Sequence, residues 1–508
     1  MGTLLSRLEP ESPHWRAAAA AAALLLAAGC TLGPDYKRPS APVPPAFKEA
    51  GGWKPASPAD AAPRGPWWNV FQDPVLGSLE ARVASSNFTL QQAAANYEEA
   101  RQVARSDRTA LLPDVSAVGS AQREKSAASG AGATGSGGVT PVSNSSRAFS
   151  TYAASLQASW EPDFWGKARR TTEAAVAAAQ VGAADLALAR LSMEAELAQD
   201  YIDLRILDQK KLLLDHAVGD YTRTLQITRN KYDVGVAARS DVLAAQTQLD
   251  STRVQAIDVG IQRAQYEHAI AVLVGRAPSD LSIPASPTLG IAVPGIPAQV
   301  PSDLLERRPD ISAAERSVAE ANANIGVQVS GYFPQLSLTG AAGFAGSPLD
   351  ELFTAPNRIW SLGSELSMNL FDAGQQGDLV SQARASYDAS VANYRETVLA
   401  AIQQVEDDLV SIRLLSQEVA VEDAAVSEAA EATRITLNEY KAGTVDFTTV
   451  TTAQVTELDN REAALAILQS RLNSSVALVE ALGGGWSTGD LPSSHQVVAK
   501  HSPSQAPD

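Results

Sequence analysis

One thiol, Cys30, is the only cysteine in 508 residues, so no intramolecular disulfide can form. Its setting gives it a task. Arg7 and Arg16 precede an apolar run from Ala17 to Ala28, long enough for the core of an export signal and too short to span a bilayer. The run closes in Leu26-Ala27-Ala28-Gly29-Cys30, small residues leading into a thiol. That pattern points to cleavage before Cys30 and acylation of its sulfur and new amine, because more than one acyl chain is needed for a stable anchor. No cofactor is expected beyond this covalent lipid. The remaining candidates for chemistry do not assemble: His14, His216, His268, His495 and His501 are scattered, and no HExxH, GxSxG or phosphate-loop pattern appears. No metal site and no catalytic centre are expected.

Composition narrows the class further. Apolar residues make up 45% of the chain and charged residues 19%, with a formal charge of −17 and a pI near 4.8. Phosphate binding needs clustered Lys and Arg, so nucleic acid is not an expected partner. The acidity fits either plain solubility or a cation-favouring lumen. After the N-terminus no unbroken apolar run reaches the ~18 residues of a spanning helix.

The elements that must carry the function come from an internal duplication. Ile227 to Gly275 (ITRNKYDVGVAARSDVLAAQTQLD…) answers Ile435 to Gly484 (ITLNEYKAGTVDFTTVTTAQVTELD…), matching Tyr232 to Tyr440, Gly235 to Gly443 and Gln246 to Gln454. Upstream, LLPDVSA around Pro113 answers YFPQLSL around Pro334, and DFWG before Arg169 answers FDAG before Gln375. The chain therefore divides into a signal peptide (1–29), a lipidated tether rich in Pro, Ala and Gly (30–66), a first repeat (67–275), a linker (276–308), a second repeat (309–484) and a disordered tail (485–508).

Two periodicities alternate within each repeat. Period-2 strands are expected near 113–123, 148–161, 334–345 and 360–371, with Leu336, Leu338, Ala342 and Phe344 opposing Gln335, Ser337 and Thr339, and Leu362, Leu366, Met368 and Leu370 opposing Ser361, Glu365, Ser367 and Asn369. About ten residues is the length that crosses a bilayer when tilted, and Phe149, Trp160, Phe344 and Trp360 near the strand ends suit an aromatic girdle. Elsewhere the period is helical. Val391, Tyr394, Val398, Ile402, Val405, Leu409, Ile412, Leu415 and Val419 step by three or four, the spacing of a left-handed coiled coil. Lys167 to Asp233 is of similar length, so each repeat holds a helix of about 100 Å. Gly235 and Gly443 suit the left-handed residue that ends such a helix, with Ser240 or Asp241 placed to cap the first returning one.

Four strands cannot close a barrel alone, because their edges would leave unpaired backbone groups in lipid. Three copies would supply about 12 strands, a size that encloses a channel. The fold class expected is thus mainly α with a transmembrane β portion: a homotrimeric 12-stranded barrel continued by a coiled-coil α-helical barrel.

Three segments also carry a resemblance. GCTLGPDYKRP after the signal, WWNVFQDPVLGSL from Trp67 and LLERRPDISAAE from Leu304 resemble the signatures of outer-membrane factors, specifically the efflux lipoproteins of the NodT and OprM type, relatives of TolC. Thr31 after the cysteine, where an aspartate would favour the inner membrane, agrees with an outer-membrane address. The resemblance implies a passive exit duct for small molecules in a tripartite efflux system, docked to a periplasmic adaptor and an inner-membrane pump, commonly of the resistance–nodulation–division class. It places adaptor docking or the gate at the hairpin tips: Tyr232, Gly235, Asp241, Tyr440, Gly443 and Asp446. Where the family's best-known gate holds an arginine, this chain has Val445, followed by Asp446. A duct for type I protein secretion and a non-conducting structural lipoprotein are the competing readings; the lipid signal disfavours the first and the alternating strands the second. Within the motifs, Pro309 suits a first helical turn, Asp310 and Glu315 offer charge to that turn or to Arg307 and Arg308, and Trp67, Trp68 and Phe71 read as packing anchors.

Overall fold

The computed structural model describes residues 31–49, 66–125, 148–294 and 304–499. Cys30 and the expected export signal lie outside them. Helices come in matching sets. The first is α1 (Pro74–Ser86), α2 (Phe88–Thr109), α3 (Lys167–Asp233) and α4 (Arg239–Leu273); the second is α5 (Pro309–Ser330), α6 (Gln375–Ala442) and α7 (Phe447–Ala481). Strands β1 (Asp114–Lys125) and β2 (Ala148–Trp160) lie between α2 and α3, and β3 (Gln335–Gly346) and β4 (Arg358–Ser367) between α5 and α6. The duplication is metrical: α2 and α5 each have 22 residues, α3 and α6 have 67 and 68, and α4 and α7 have 35 each. Among the described residues, α1 is answered only by the single turn Leu304–Arg307.

The strands form one antiparallel sheet in the order β1-β2-β3-β4. Each strand pair passes into its long helix through a glycine with positive φ, Gly166 at +81° and Gly374 at +93°. That conformation costs little only without a Cβ. At Gly166 a Cβ would also meet Thr31 at 2.9 Å. α3 pairs with α4 and α6 with α7 as two hairpins, and α3 also packs on α2, α5 and α7. One window of 18 residues in α3 reaches a mean hydropathy of 1.3, enough by composition for a membrane span, although polar residues such as Gln180 and Asp185 interrupt it and 44% of it is buried. The helix is Ala-rich and its neighbours pack closely on it.

The core sits midway along the long helices. Trp67, Trp68, Phe71, Leu76 and Leu79 pack on Leu197, Tyr201, Ile202 and Leu204 of α3, and Trp67 Nε1 donates to Glu194 at 3.0 Å. The two tryptophans and Phe71 are packing anchors, as their types led us to expect. A second cluster joins Phe47, Ile311 and Val318 to Tyr394, Val398, Val405 and Leu409 of α6. Linker residues are pinned by charge: Arg205 donates to Asp208 at 3.1 Å and to the Pro284 carbonyl at 2.8 Å, while Arg263 bridges Asp208 and the Ile283 carbonyl, both at 2.6 Å. Pro309 opens α5, and Arg308 beside it pairs with Asp310 at 2.7 Å and ties the Ala481 carbonyl at 2.8 Å. Glu315 instead pairs with Arg316 and accepts from Tyr36.

Residues 31–49 lie along the body as a strap. The Leu32 amide donates to the Trp165 carbonyl at 3.1 Å, Asp35 pairs with Arg170 at 2.9 Å, and the Lys48 and Glu49 amides donate to Glu406 at 2.6 and 2.8 Å. The expected disordered tail needs correction up to Ala499. Residues Ser494–Val498 form a short helix, α8, with Ser493 and Gln496 exchanging cap hydrogen bonds and Val497 fully buried against Ala104, Ala175, Val176 and Ala179. Residues 500–508 lie outside the described segments.

Glu80 on α1 is 0% exposed, and neither of its carboxylate oxygens has a hydrogen-bond partner among the described residues. Burial first, and the nearby Glu194 second, push its carboxyl up to about 9. A carboxyl raised in the fold stabilises fully below its unfolded pKa of about 4.5 and progressively less up to its folded value. Glu80→Gln should therefore leave stability near unchanged at pH 4.5 and raise it by up to about 3 kcal/mol at pH 7, with urea unfolding in detergent at both pH values as the measurement.

Candidate functional site

Two regions of the fold are built for something other than holding a single chain together: the sheet and the hairpin tips. Strand register fixes the two faces of the sheet. The rows Ala117–Leu156–Ala342–Trp360 and Val115–Ala158–Gly340–Leu362 run across all four strands, and with Trp160, Leu338, Phe344 and Leu366 they make one face predominantly apolar below a few polar residues at its far end. Its largest groups are bare: Leu156 is 59%, Trp360 77% and Leu362 81% exposed. The opposite face is small and polar, with Ser116, Ser120 and Gln122 of β1, Thr151, Ser155, Gln157 and Ser159 of β2, Gln335, Ser337 and Thr339 of β3, and Ser361 and Glu365 of β4. A bare apolar face backed by a hydrophilic one is the pattern of a barrel wall with lipid outside and water within.

Two details differ from expectation. Phe149 pairs with Glu124 and so stands on the polar face, leaving Trp160, Phe344 and Trp360 as the girdle. Strand β4 ends at Ser367, before Met368 and Leu370, because the chain turns away to reach Gly374 and begin α6. At the helix end of the sheet, Trp165 Nε1 donates to the Pro334 carbonyl at 2.6 Å and its ring lies 4.9 Å from that of Phe333. Those contacts tie the start of β3 to the start of α3.

At the far ends of the hairpins both turns follow one design. The Val236 amide donates to the Lys231 carbonyl at 2.8 Å and the Thr444 amide to the Glu439 carbonyl at 3.0 Å, across Gly235 at φ +78° and Gly443 at φ +86°. These are Schellman closures. Asp446 caps α7, its carboxylate accepting from the Thr449 amide at 2.9 Å and hydroxyl at 2.6 Å. Those two bonds hold its carboxyl below the usual aspartate range. Asp241 is not the cap of α4. Ala238 occupies that place, and Asp241 reaches back to its amide at 3.3 Å with Ser240 donating to the same carboxylate.

The two tip tyrosines part company. Tyr440 is 4% exposed, its hydroxyl 3.2 Å from Thr228 of α3 and its ring 5.8 Å from that of Phe447. Lys231 lies 4.2 Å over that ring and also donates to the Tyr440 carbonyl. Burial holds the phenol above its ordinary pKa, the Thr228 bond opposes the shift, and the charge of Asp241 adds to it. Tyr232, the repeat partner of Tyr440, is 43% exposed. Lys231 and Thr228 were not singled out from the sequence. Their only signal was a position one turn (Lys231) or two turns (Thr228) before the first tip, which gains meaning when the second hairpin lies beside it.

The family model for the outer membrane efflux protein matches residues 81–276 and 300–484, both repeats. The chain belongs to this family. The toluene efflux pump outer membrane protein TtgC of Pseudomonas putida is 30% identical over 464 residues, covering 91% of this chain and 94% of that one. Nodulation protein T of Rhizobium leguminosarum bv. trifolii is 28% identical over 467 residues, covering 91% and 96%. Among solved structures, the outer-membrane channel OprN superposes with a TM-score of 0.81 at 28% identity, covering 90% of this chain and all of that one. As a member of the outer membrane efflux protein family, the chain is an outer-membrane channel component of an efflux system, and its family is one of channels.

Asp446→Ala should leave the first turn of α7 without its acceptor. Amide exchange at Thr449 should then accelerate several-fold at pH 7. Because the carboxyl is depressed in the fold, wild type should keep this protection above the ordinary aspartate pKa and lose it as pH falls through the lower folded value.

Proposed function

We propose that three copies of this chain close the sheet into a barrel of about 12 strands, continued by the hairpins as a helical tube, and that the assembly is a passive exit duct for small molecules. The observation that carries this reading is the open amphipathic sheet joined to helices of about 100 Å. Unpaired backbone along β1 and β4 is tolerable in lipid only if other strands cover it. A helix of 67 or 68 residues beneath each strand pair is long enough to reach deep into the periplasm, where a periplasmic adaptor and an inner-membrane pump, of the resistance–nodulation–division class, supply the contacts and the energy.

Lipidation at Cys30 fits the geometry of its neighbour. Thr31 lies against Gly166, just past the end of β2, so acyl chains on the preceding residue would enter the periplasmic leaflet where the barrel ends. The tips would close the resting duct. Within one chain, Tyr440 of the second hairpin docks on Thr228 and Lys231 of the first. Carrying this contact one step round the ring by the internal repeat places exposed Tyr232 against Thr436 and Glu439 of the next copy. Thr228 and Thr436 already share the same back-bond, to the Thr224 and Ala432 carbonyls at 3.0 and 2.7 Å. Gly235, Asp241, Gly443 and Asp446 shape the turns that an adaptor would meet, and closure here rests on tyrosine seats, Val445 standing where an arginine gate would need its cation.

Two singly substituted chains, Tyr232→Cys and Thr436→Cys in a Cys30→Ser background, should cross-link through a short bis-maleimide when co-expressed, and neither should do so alone. Absence of that product from a detergent-solubilised trimer would remove the tip seat, and a monomer would remove the duct. Lys231→Met should raise single-channel conductance several-fold in planar bilayers by loosening Tyr440. Palmitate labelling that is lost in Cys30→Ser would establish the anchor.

A further inference from the structure

We infer that the outward face of the barrel carries, at each seam between copies, a binding site for phosphate-bearing lipid headgroups of the outer leaflet, formed by Arg123 and Lys125 of one copy with Arg358 of its neighbour. The inference rests on the trimeric reading, since only closure brings β1 and β4 together.

Strand parity places these cations. Arg123 and Lys125 pair with Ser150 and Ala148, and Arg358 pairs with Phe344, so all three share the face of Leu156, Ala342 and Trp360. They also share its end. Lys125 is the last residue of β1 and Arg358 the first of β4, both at the edge of the sheet remote from α3 and α6. All three are exposed, and none has a hydrogen-bond or ion-pair partner among the described residues. In one chain β1 and β4 are opposite edges of the sheet. Barrel closure makes them neighbours, and three unpaired cations then converge at the outer rim of each seam.

Charge complementarity names the occupant. Directly beneath this rim lies an apolar and aromatic band. Phe353, in the turn before β4, leans over the outward face with its ring 5.4 Å from that of Phe344 and is 71% exposed, and Trp360 is 77% exposed. A ligand here must offer acyl chains to the band and anionic groups to the cations one step above it. Guanidinium forks suit phosphate bidentately, and aromatic rings suit the headgroup boundary. The acids nearby do not neutralise the rim as paired partners: Glu124 stands on the polar face of β1, and Asp350 and Glu351 belong to the exposed turn after Pro348 and form no ion pair among the described residues. A soluble anion would use the cations and leave the aromatic band bare. A lipid uses both.

Native mass spectrometry of the full-length protein in detergent reads oligomer mass and bound lipid together. Diphosphoryl lipid A, monophosphoryl lipid A and inorganic phosphate serve as probes. Wild type should run as a trimer that takes up to three diphosphoryl lipids, binding the monophosphoryl form more weakly and phosphate alone not at all. At about fivefold per cation near an anionic surface, Arg123→Gln/Lys125→Gln/Arg358→Gln should remain trimeric and lose at least tenfold in affinity. Arg358→Gln alone and Arg123→Gln/Lys125→Gln alone should each weaken binding. Equal affinity of a trimer for both lipids, undiminished binding by the trimeric triple variant, or a loss confined to one strand's cations would overturn the shared site while leaving the trimer standing. A wild type that never forms a trimer would overturn the oligomeric reading and the site with it.

Discussion

The unpaired N–H and C=O groups along β1 and β4 govern the rest of the architecture. In water such an edge is an aggregation hazard; in hydrocarbon each open group costs several kcal/mol. Short strands with a bare apolar face therefore make sense only as part of a closed ring. The helices inherit the ring, because each strand pair feeds one long helix through a single glycine. Their leftover apolar surface agrees: Val254, Ile257 and Ile261 on α4 stay exposed in one chain at the spacing of a contact face, and Leu399, Val421 and Ile435 on α6 are exposed as well.

Much of this was legible in the residues themselves. Strands with small uncharged side chains on one face and Leu or Trp on the other announce their period directly, and the repeat of FDAG and DFWG marks where each strand becomes a helix. Where structure and sequence differ, the cause is physical. By residue type Phe149 suits the girdle, whereas its place in the register puts it opposite Glu124. Met368 and Leu370 continue an alternation that the backbone abandons, since the route to Gly374 takes the chain out of the sheet. In the tail, polar composition masked a five-residue helix whose Ser493–Gln496 cap and Val497 anchor are local signals of order.

At the tips, sequence reasoning reached its limit for a different reason. Tyr232 and Tyr440 sit in near-identical local contexts, yet one is exposed and the other seated between hairpins. Nothing within either repeat distinguishes them. The difference lies in which neighbour each hairpin meets inside its own chain, a relation set by α3 packing on α7. One duplicated sequence thus yields two kinds of tip, the second seated on the first within the chain and the first left with its tyrosine exposed.

The strap formed by residues 31–49 touches both repeats, at Arg170 and Glu315, and then follows α6 to Glu406 and Arg413. Its partners lie up to 364 residues away in sequence. The strap must therefore be among the last segments to find its place, because its binding groove does not exist until both repeats have docked. Loop closure over such separations is slow. The strap is a latch whose closure records the completed juxtaposition of the two halves.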